Sequence, residues 1–232
     1  MTPSPEQYPG KHAYHGKVAQ RYEEDRTLEP LWTVEQAYVR EWSSRLPVGA
    51  VVLDLPVGTG RFLPFYAERG LRVHGIDISS EMIAEARRRH PELAERFALS
   101  VGDAERLVLP DQSVDCVVCW RLVHLLPGEV LLRVLREFRR VSRGEIVLEA
   151  LAFLPAGRRP PALEPLKRLV RPLWRRLRPR RDATPWSHIG NFDHPEEEIR
   201  GIIAGAGLTV RSLVTIGGNA GRPSVVFHLT PA

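Results

Sequence analysis

Cysteine and long apolar runs are both scarce in this chain of 232 residues. Two cysteines are too few for a disulfide framework, which favours a reduced, cytoplasmic environment. Nowhere does the sequence contain about 18 consecutive uncharged apolar residues, the length that a membrane-spanning helix requires. The first 17 residues lack the apolar stretch of a secretory signal, so we expect no such signal.

Positive charge is concentrated in one segment. The chain carries a formal charge of +5, yet residues 158–181 hold ten basic residues and one acid, a net charge of +9. The remaining residues therefore carry −4 together. With 43% hydrophobic residues, the sequence excludes a disordered protein and predicts a mildly acidic globular body with one basic segment.

Short apolar segments alternate with helical patterns from residue 50 onward. Strands are predicted at 50–57, 71–78, 97–104, 113–122, 144–151, 208–216 and 222–230. Helices are predicted at 61–70, 81–90, 127–144 and 194–207. Repeated strand–helix–strand units predict a doubly wound α/β domain with a parallel sheet, and the glycine-rich turn between the last two strands predicts an antiparallel hairpin.

The N-terminal part has a different pattern. Residues 1–49 contain no strand signal, and we expect helices at 14–26 and 31–45 outside the sheet. The chain is therefore divided into an N-terminal helical cap (1–49) and an α/β domain (50–232). Residues 152–190 form a basic insert after the fifth strand, where a cover over the substrate is expected.

Residues suited to ligand binding follow the first three predicted strands. Asp54 precedes the turn Gly58-Thr59-Gly60, whose glycines allow the backbone to approach a ligand closely. Asp77 ends the second strand, where a carboxylate can accept both hydroxyls of a ribose, and Asp103 follows the third. In a doubly wound sheet, ligands bind beyond these strand ends.

This arrangement resembles the class I S-adenosylmethionine-dependent methyltransferases of the small-molecule type. The stretch VLDLPVGTG is similar to their first motif, GIDIS with the following Met-containing helix to the second, and VGDAERLVLPDQSVDCVV to the segment leading into strand four. The resemblance is close over about residues 12–151 and implies a seven-stranded Rossmann-like sheet. It also implies S-adenosylmethionine as cofactor and S-adenosylhomocysteine as product.

The resemblance implies roles for particular residues. Asp54 and the turn would hold the methionine portion of the cofactor, Asp77 the ribose, and Asp103 the adenine amino group. Trp120 and Arg121 would face the cofactor and the substrate. The implied cofactor-binding residues are Tyr14, Tyr22, Asp54, Pro56, Gly58, Thr59, Gly60, Asp77, Ile78, Met82, Asp103, Ala104 and Trp120.

Pro56 departs from the family pattern, because it stands where the first glycine of the motif is usual. Proline fixes φ and has no N–H, which affects the geometry at the methionine end.

A dehydrogenase is disfavoured, since Leu63 occupies the third glycine position of the nicotinamide fingerprint. The competing interpretation for Asp54 is an acid that caps a helix or braces a loop.

Other candidate residues allow two interpretations. His124 is a candidate general base, or else an exposed loop histidine, and Arg121 is a second catalytic candidate. His12, His188 and His194 are weaker candidates. Cys116 and Cys119 have the spacing of half a metal site, but an offset of three on a strand points them to opposite faces, so we expect buried thiols and no metal.

The basic segment 158–181 leaves several partners open. A helical pattern there places Trp174 and five aliphatic residues on one face and arginines on the rest, which suits an anionic membrane surface or a lipid-like substrate. The alternatives are a soluble anionic substrate, nucleic acid, or simple packing on the body. Strand four is not followed by an Asn/Asp-Pro-Pro-aromatic motif, which argues against methylation of the amino groups of nucleic-acid bases.

We expect a cytoplasmic methyltransferase that acts on an oxygen, nitrogen or carbon atom of a small-molecule or lipid-linked acceptor. Peripheral contact with the inner membrane surface is compatible with this expectation. The alternative is a non-catalytic cofactor-binding or regulatory protein of the same fold. The sequence leaves the acceptor and the oligomeric state undetermined.

Overall fold

A computed structural model describes residues 14, 17–27, 29–151, 192–219 and 222–232. The predicted insert 152–190, with its basic segment 158–181, lies entirely outside the described residues. Within the described residues, no helix is both long and apolar enough to cross a membrane.

The described chain has seven α-helices, one short 3-10 helix and seven strands. The α-helices are α1 (Lys17–Arg26), α2 (Pro30–Ser44), α3 (Leu63–Glu68), α4 (Ser80–Arg89), α5 (Pro91–Arg96), α6 (Gly128–Val141) and α7 (Glu196–Gly205), and the 3-10 helix is Val123–Leu125. The strands are β1 (Val51–Asp54), β2 (Arg72–Asp77), β3 (Ala98–Val101), β4 (Val114–Cys119), β5 (Ser142–Leu151), β6 (Leu208–Asn219) and β7 (Arg222–Pro231).

The seven strands form one sheet in the order β3-β2-β1-β4-β5-β7-β6. The first five strands are parallel, and β7 pairs antiparallel with both β5 and β6. This confirms the predicted doubly wound α/β sheet and its terminal hairpin. Because the strand order reverses between β1 and β4, the carboxyl ends of these two strands open a crevice at the site where this fold binds ligands.

Several predicted strands are shorter than expected, and the reason lies in the residues that follow them. β1 ends at Asp54, because Pro56 has no N–H to continue the ladder. β4 ends at Cys119, because Arg121 adopts a left-handed backbone conformation with φ +57°. Both departures place residues beyond the sheet, in the crevice.

Two hydrophobic clusters cover the two faces of the sheet. Helix α6 packs an apolar stripe that includes Val134 and Phe138 against one face, and α2, α3 and α4 contribute to the cluster on the other. Cys119 belongs to the first cluster and Cys116 to the second, so the prediction that they point to opposite faces is confirmed. Burial raises the pKa of Cys116 to about 12, and the part of the chain that the structure describes contains no group of metal-binding side chains.

Helix α2 is attached to the sheet by a chain of hydrogen bonds. Trp42 Nε1 donates to Glu145 of β5 (2.8 Å), and the other carboxylate oxygen of Glu145 bonds Nδ1 of His228 on β7 (2.6 Å). The Nε2 atom of His228 bonds the Tyr38 hydroxyl at 2.5 Å. These four side chains fix the carboxyl-terminal half of α2, and hence the direction in which its amino-terminal half reaches the crevice.

Glu145→Gln should lower the free energy of unfolding by about 1–2 kcal/mol near neutral pH, because it weakens charge-assisted hydrogen bonds. The bond from His228, followed by that from Trp42, holds the pKa of Glu145 below its usual value. The stabilisation is therefore present above the unfolded-state pKa and is lost as the pH falls through the lower folded-state pKa.

Urea unfolding followed by tryptophan fluorescence at several pH values measures this effect. Glu129→Gln, at an exposed position in the first turn of α6, is the matched control and should lower stability by less than about 1 kcal/mol, the usual contribution of an acid at a helix N-terminus. Equal stability of the Glu145 variant and the wild-type protein would contradict the role assigned to this carboxylate.

Candidate active site

A cavity lies at the carboxyl ends of β1, β2 and β4. It is lined mainly by apolar and aromatic side chains, with charged groups at a few points. The lining residues are Tyr14, Tyr22, Pro56, Val57, Gly58, Thr59, Arg61, Phe62, Asp77, Ile78, Met82, Trp120, Arg121, Leu122 and Leu125. Ten of these lining residues are among the site residues that the sequence predicted.

The loop after β1 supplies one wall of the cavity. Gly58 and Gly60 adopt φ of +55° and +78°, a region that strongly favours glycine. The Gly58 N–H donates to Oδ2 of Asp77 at 3.0 Å, which ties this loop to the end of β2. Pro56 also lines the cavity and follows a cis peptide bond, so the motif departure is accommodated within the loop.

Asp77 is a buried carboxylate that organises the start of α4. Its Oδ1 accepts a hydrogen bond from the Ser79 N–H (2.9 Å), and the Ser79 hydroxyl caps α4 by accepting from the Met82 N–H. Each carboxylate oxygen can accept more than one hydrogen bond. Asp77 can therefore receive hydroxyl groups from a ligand while it holds both loops in place.

Asp54 is the most unusual group beside the cavity. It is 1% exposed, and among the described residues only the buried Tyr66 hydroxyl lies near enough to act as a hydrogen-bond donor to its carboxylate. Burial raises the pKa of Asp54 to about 7, although the nearby Arg61 opposes the shift. Burying an ionised carboxylate with so few hydrogen bonds raises the free energy of the folded protein, unless a ligand supplies a hydrogen-bond donor or a positive charge.

Tyr14 and Tyr22, from the N-terminal part of the chain, line one side of the cavity. The Ser79 hydroxyl donates to the backbone carbonyl of Tyr14 at 2.6 Å, which attaches this residue to the α4 cap. The rings of Tyr14 and Tyr22 meet edge to face with centroids 5.8 Å apart. Both predicted tyrosines therefore line the cavity.

Two arginines on the cavity wall share one buried carboxylate of α2. Glu35, 1% exposed, accepts from Nη2 of Arg61 (2.7 Å) and from Nε of Arg121 (3.0 Å). Arg121 also donates to Glu29 at 2.8 Å, and Glu29 accepts from Arg26 of α1 at 2.7 Å. The two helices of the N-terminal cap are thus joined to the loops after β1 and β4 by buried or partly buried ion pairs.

This ion-pair network was not predicted from the sequence. Arg61 directly follows the glycine turn, and that position was a signal available to sequence reasoning. Glu35 gave no such signal, because 26 residues separate it from Arg61 and its role depends on how α2 packs.

The structure does not bring every predicted residue to the cavity lining. Asp54, the last residue of β1, and Gly60, in the loop after it, are not among the lining residues, and neither are Asp103 and Ala104, which lie beyond β3. Asp103 Oδ1 accepts from the Glu105 N–H at 3.0 Å, so it braces its own turn. The adenine-binding role of Asp103 and Ala104 stays a prediction.

His124 does not lie on the cavity wall. It is 7% exposed, in the 3-10 turn after β4, so the interpretation as an exposed loop histidine was wrong. Its role as a base stays a prediction. His194 is also buried, bonded to the Leu126 carbonyl (2.8 Å) and to Glu198 (3.1 Å), which gives it a structural position. His12 and His188 lie outside the described residues.

Comparison with known proteins identifies relatives over this part of the chain. A family model described as a methyltransferase domain matches residues 52–145. Phosphatidylethanolamine N-methyltransferase of Cereibacter sphaeroides is 41% identical over 104 residues, which are 43% of this chain and 50% of that protein. Malonyl-[acyl-carrier protein] O-methyltransferase of Pectobacterium atrosepticum is 37% identical over 106 residues, 45% of this chain and 40% of that protein. The chain thus spans half or less of the length of these relatives.

Solved structures resemble a larger share of the chain. Magnesium protoporphyrin IX methyltransferase from Synechocystis PCC 6803, solved with bound S-adenosylhomocysteine, has a TM-score of 0.66 at 16% identity and covers 96% of this chain and 97% of its own. A [4+2]-cyclase has a TM-score of 0.64 at 16% identity, covering 85% of this chain and 80% of its own. At these identities the likeness establishes the fold.

Residues 52–145 are similar to the methyltransferase domain family, and the sheet order and strand-end acids agree with the fold of class I S-adenosylmethionine-dependent methyltransferases.

The residues at the cavity fit the cofactor of this class. Asp54 has no donor other than the Tyr66 hydroxyl among the described residues, and within the same part of the chain Thr59 Oγ1 and Trp120 Nε1 are buried without partners. S-adenosylmethionine presents an ammonium, a carboxylate and ribose hydroxyls, which complement these groups and Asp77. Asp54, Asp77 and the turn between Gly58 and Gly60 would hold it.

Cofactor affinity should fall on acidification, because the ammonium of the cofactor prefers the ionised form of Asp54, whose pKa is about 7. The groups that face Asp54 are Arg61, Tyr66, Asp77 and Cys119, and burial raises the pKa of Tyr66 and of Cys119 well above neutral pH. Between about pH 8 and pH 6, the affinity for S-adenosylhomocysteine should drop roughly tenfold.

Titration calorimetry with S-adenosylhomocysteine measures this change. Asp54→Asn should weaken binding and remove the pH dependence, while Asp111→Asn, at a mostly exposed position, should retain the wild-type profile. A constant affinity over this range in the wild-type protein would refute the assignment of Asp54.

Proposed function

We propose that this chain is an active methyltransferase that moves a methyl group from S-adenosylmethionine to a small-molecule or lipid-linked acceptor. The observation that carries the proposal is the buried carboxylate of Asp54, which has no cationic hydrogen-bond partner among the described residues, beside a cavity that is also lined by Asp77 and the glycine turn. A carboxylate in this position is stabilised by a cationic ligand, which the methionine portion of the cofactor provides.

The chemistry requires alignment more than acid–base catalysis. The acceptor attacks the methyl carbon in line with the carbon–sulfur bond, the new bond forms as that bond breaks, and the sulfur leaves as a neutral thioether. The donor is already activated, so positioning the reactants supplies much of the rate acceleration. Asp77 and Asp54 would orient the cofactor, and the aromatic wall formed by Tyr14, Tyr22 and Trp120 would exclude water.

A proton acceptor is required only when the acceptor atom must lose a proton. Burial raises the pKa of Tyr14 well above its usual value, which keeps its phenol neutral and unsuitable as a base. A neutral amine or a pre-ionised acid would need no base before attack. Such acceptors agree best with the cavity, because His124, the candidate base, is not among the residues that line it.

Lipid-linked acceptors are supported by the relatives and by the basic segment. The names of the relatives include phosphatidylethanolamine, malonyl-[acyl-carrier protein] and demethylmenaquinone as acceptors. We propose that residues 158–181, with a net charge of +9, bring the protein to an anionic membrane surface from the cytoplasm.

The second candidate function is cofactor binding without methyl transfer. Pro56 in the first motif favours it, and so does the occurrence of this fold in a [4+2]-cyclase. Methyl transfer distinguishes the two candidates directly.

Methyl transfer should be detected with S-adenosylmethionine labelled in its methyl group and acceptors of three classes: an aminophospholipid, an acyl-carrier-bound acid and a demethylated quinone. Asp77→Asn should reduce turnover at least tenfold at subsaturating cofactor, since it weakens the ribose site. Asp111→Asn should have wild-type turnover. Tight cofactor binding without transfer to any acceptor class would favour the second candidate.

Sedimentation with vesicles tests the membrane proposal. The protein should sediment with vesicles that contain anionic lipid and remain in solution with zwitterionic vesicles, and added salt should release it. Replacement of Arg175, Arg176 and Arg178 by Gln should reduce sedimentation without changing S-adenosylhomocysteine affinity. Equal sedimentation with both kinds of vesicle would contradict an electrostatic contact.

A further inference from the structure

A second cavity lies between α2 and the strands β5, β6 and β7, and it shares no lining residue with the candidate active site. The carboxyl-terminal half of α2 and the two residues that follow it supply five of its lining residues, and the three strands supply four. The lining residues are Tyr38, Glu41, Trp42, Arg45, Leu46, Glu145, Ser212, Val214 and His228. A molecule in this cavity would therefore be bound apart from the cofactor.

Glu145 is a charged group that a ligand can reach in this cavity. Its side chain is 36% exposed, and each carboxylate oxygen already accepts one hydrogen bond, from Trp42 Nε1 (2.8 Å) or from His228 Nδ1 (2.6 Å). A neutral imidazole satisfies both bonds of His228, because Nδ1 donates to Glu145 while Nε2 accepts from the Tyr38 hydroxyl. A carboxylate oxygen can accept more than one hydrogen bond. Glu145 therefore keeps a negative charge and can accept a further donor.

The charges around Glu145 favour a cationic ligand. The cavity is lined by two carboxylates, those of Glu41 and Glu145, and by one guanidinium, that of Arg45. Arg45 pairs with Glu41 and also acts electrostatically on Glu145. Arg143, two residues before Glu145 on β5, is paired with Asp115 at 2.7 Å and leaves this balance unchanged. With the imidazole neutral, two negative charges and one positive charge leave the described lining at −1, which disfavours an anion.

The uncharged part of the lining is suited to an organic cation. The rings of Tyr38 and Trp42 line the cavity, and a positive charge is attracted to the face of an aromatic ring. Leu46 is half-buried and Val214 is 39% exposed, so both present apolar surface that an alkyl chain can cover. A metal ion is less suited, because the described residues contain no group of side chains that could hold one. An ammonium group with an attached alkyl chain matches all of these features.

We propose that this cavity binds a small primary alkylammonium ion. The ammonium group donates to Glu145 and lies beside the Tyr38 ring, and the alkyl chain packs on Leu46 and Val214. The proposal is independent of the proposed function, since it uses no residue that lines the cofactor cavity. The ligand is neither cofactor nor methyl acceptor, but a second small molecule bound on α2, the helix whose Glu35 bonds two arginines of the candidate active site.

Ligand-observed NMR with n-butylammonium tests the site on the full chain near neutral pH, where this amine is protonated. It should bind with a millimolar dissociation constant, roughly tenfold more tightly than butan-1-ol, which has the same length and no charge. Butyrate, the matching anion, should show no binding. Saturating S-adenosylhomocysteine should leave the amine affinity unchanged, because the two cavities share no lining residue.

Substitutions at Val214 change the charge of the cavity and leave its hydrogen bonds intact. Val214→Lys should weaken n-butylammonium binding roughly fivefold, and Val214→Glu should strengthen it roughly twofold. Val108→Lys is the matched control and should bind as the wild-type protein does, because Val108 is 97% exposed and lines neither cavity. Glu145→Gln should weaken binding roughly tenfold. Circular dichroism verifies folding, and the two Val214 variants carry the test if Glu145→Gln does not fold.

The outcomes are distinguishable. Opposite effects of Val214→Lys and Val214→Glu support the inference. Absence of amine binding, or equal binding of n-butylammonium and butan-1-ol, would overturn it. Displacement of the amine by S-adenosylhomocysteine would also overturn it, because the amine would then lie in the cofactor cavity. Amine binding by a protein that does not bind S-adenosylhomocysteine would support the inference and overturn the proposed function.

Discussion

The ion pairs of Glu35 with Arg61 and Arg121 connect the parts of this molecule that form the site. A carboxylate that is 1% exposed joins a helix of the N-terminal cap to the loop after β1 and to the loop after β4. Burying such charges costs several kcal/mol per ion, and their mutual attraction offsets this only with good geometry. Removal of one partner is therefore more harmful than the net contribution of the pair suggests.

Hydrogen bonds to buried carboxylates also hold Arg121 in an unusual backbone conformation. Its backbone adopts φ +57°, which is unfavourable for a residue with a Cβ atom. The backbone N–H donates to the buried Glu149 at 3.0 Å, and Glu149 accepts in turn from the Ser224 hydroxyl at 2.8 Å. Strands β5 and β7 thus fix the backbone of Arg121, and α2 fixes its side chain, so the cavity wall is determined from both sides.

Sequence patterns predicted the sheet because its signals are local. Apolar runs and the acids that follow them remain recognisable in one sequence, and Asp54, Asp77 and the glycine turn were placed correctly at one edge. Helix α5 was missed: the predicted helix ends at residue 90, and Pro91, which ends that pattern, also begins the next helix. The contacts of Glu35 and the burial of His124 depend on packing between distant segments, which local patterns do not encode.

The central claim is that the cavity at the ends of β1, β2 and β4 is a cofactor site built from both the sheet and the N-terminal helices. A crystal structure of the protein with S-adenosylhomocysteine tests it most directly. We predict the ribose hydroxyls at hydrogen-bond distance from Asp77 and the ammonium of the methionine portion near Asp54. Density for the ligand outside this cavity, or a cavity that stays empty at saturating ligand, would contradict the account.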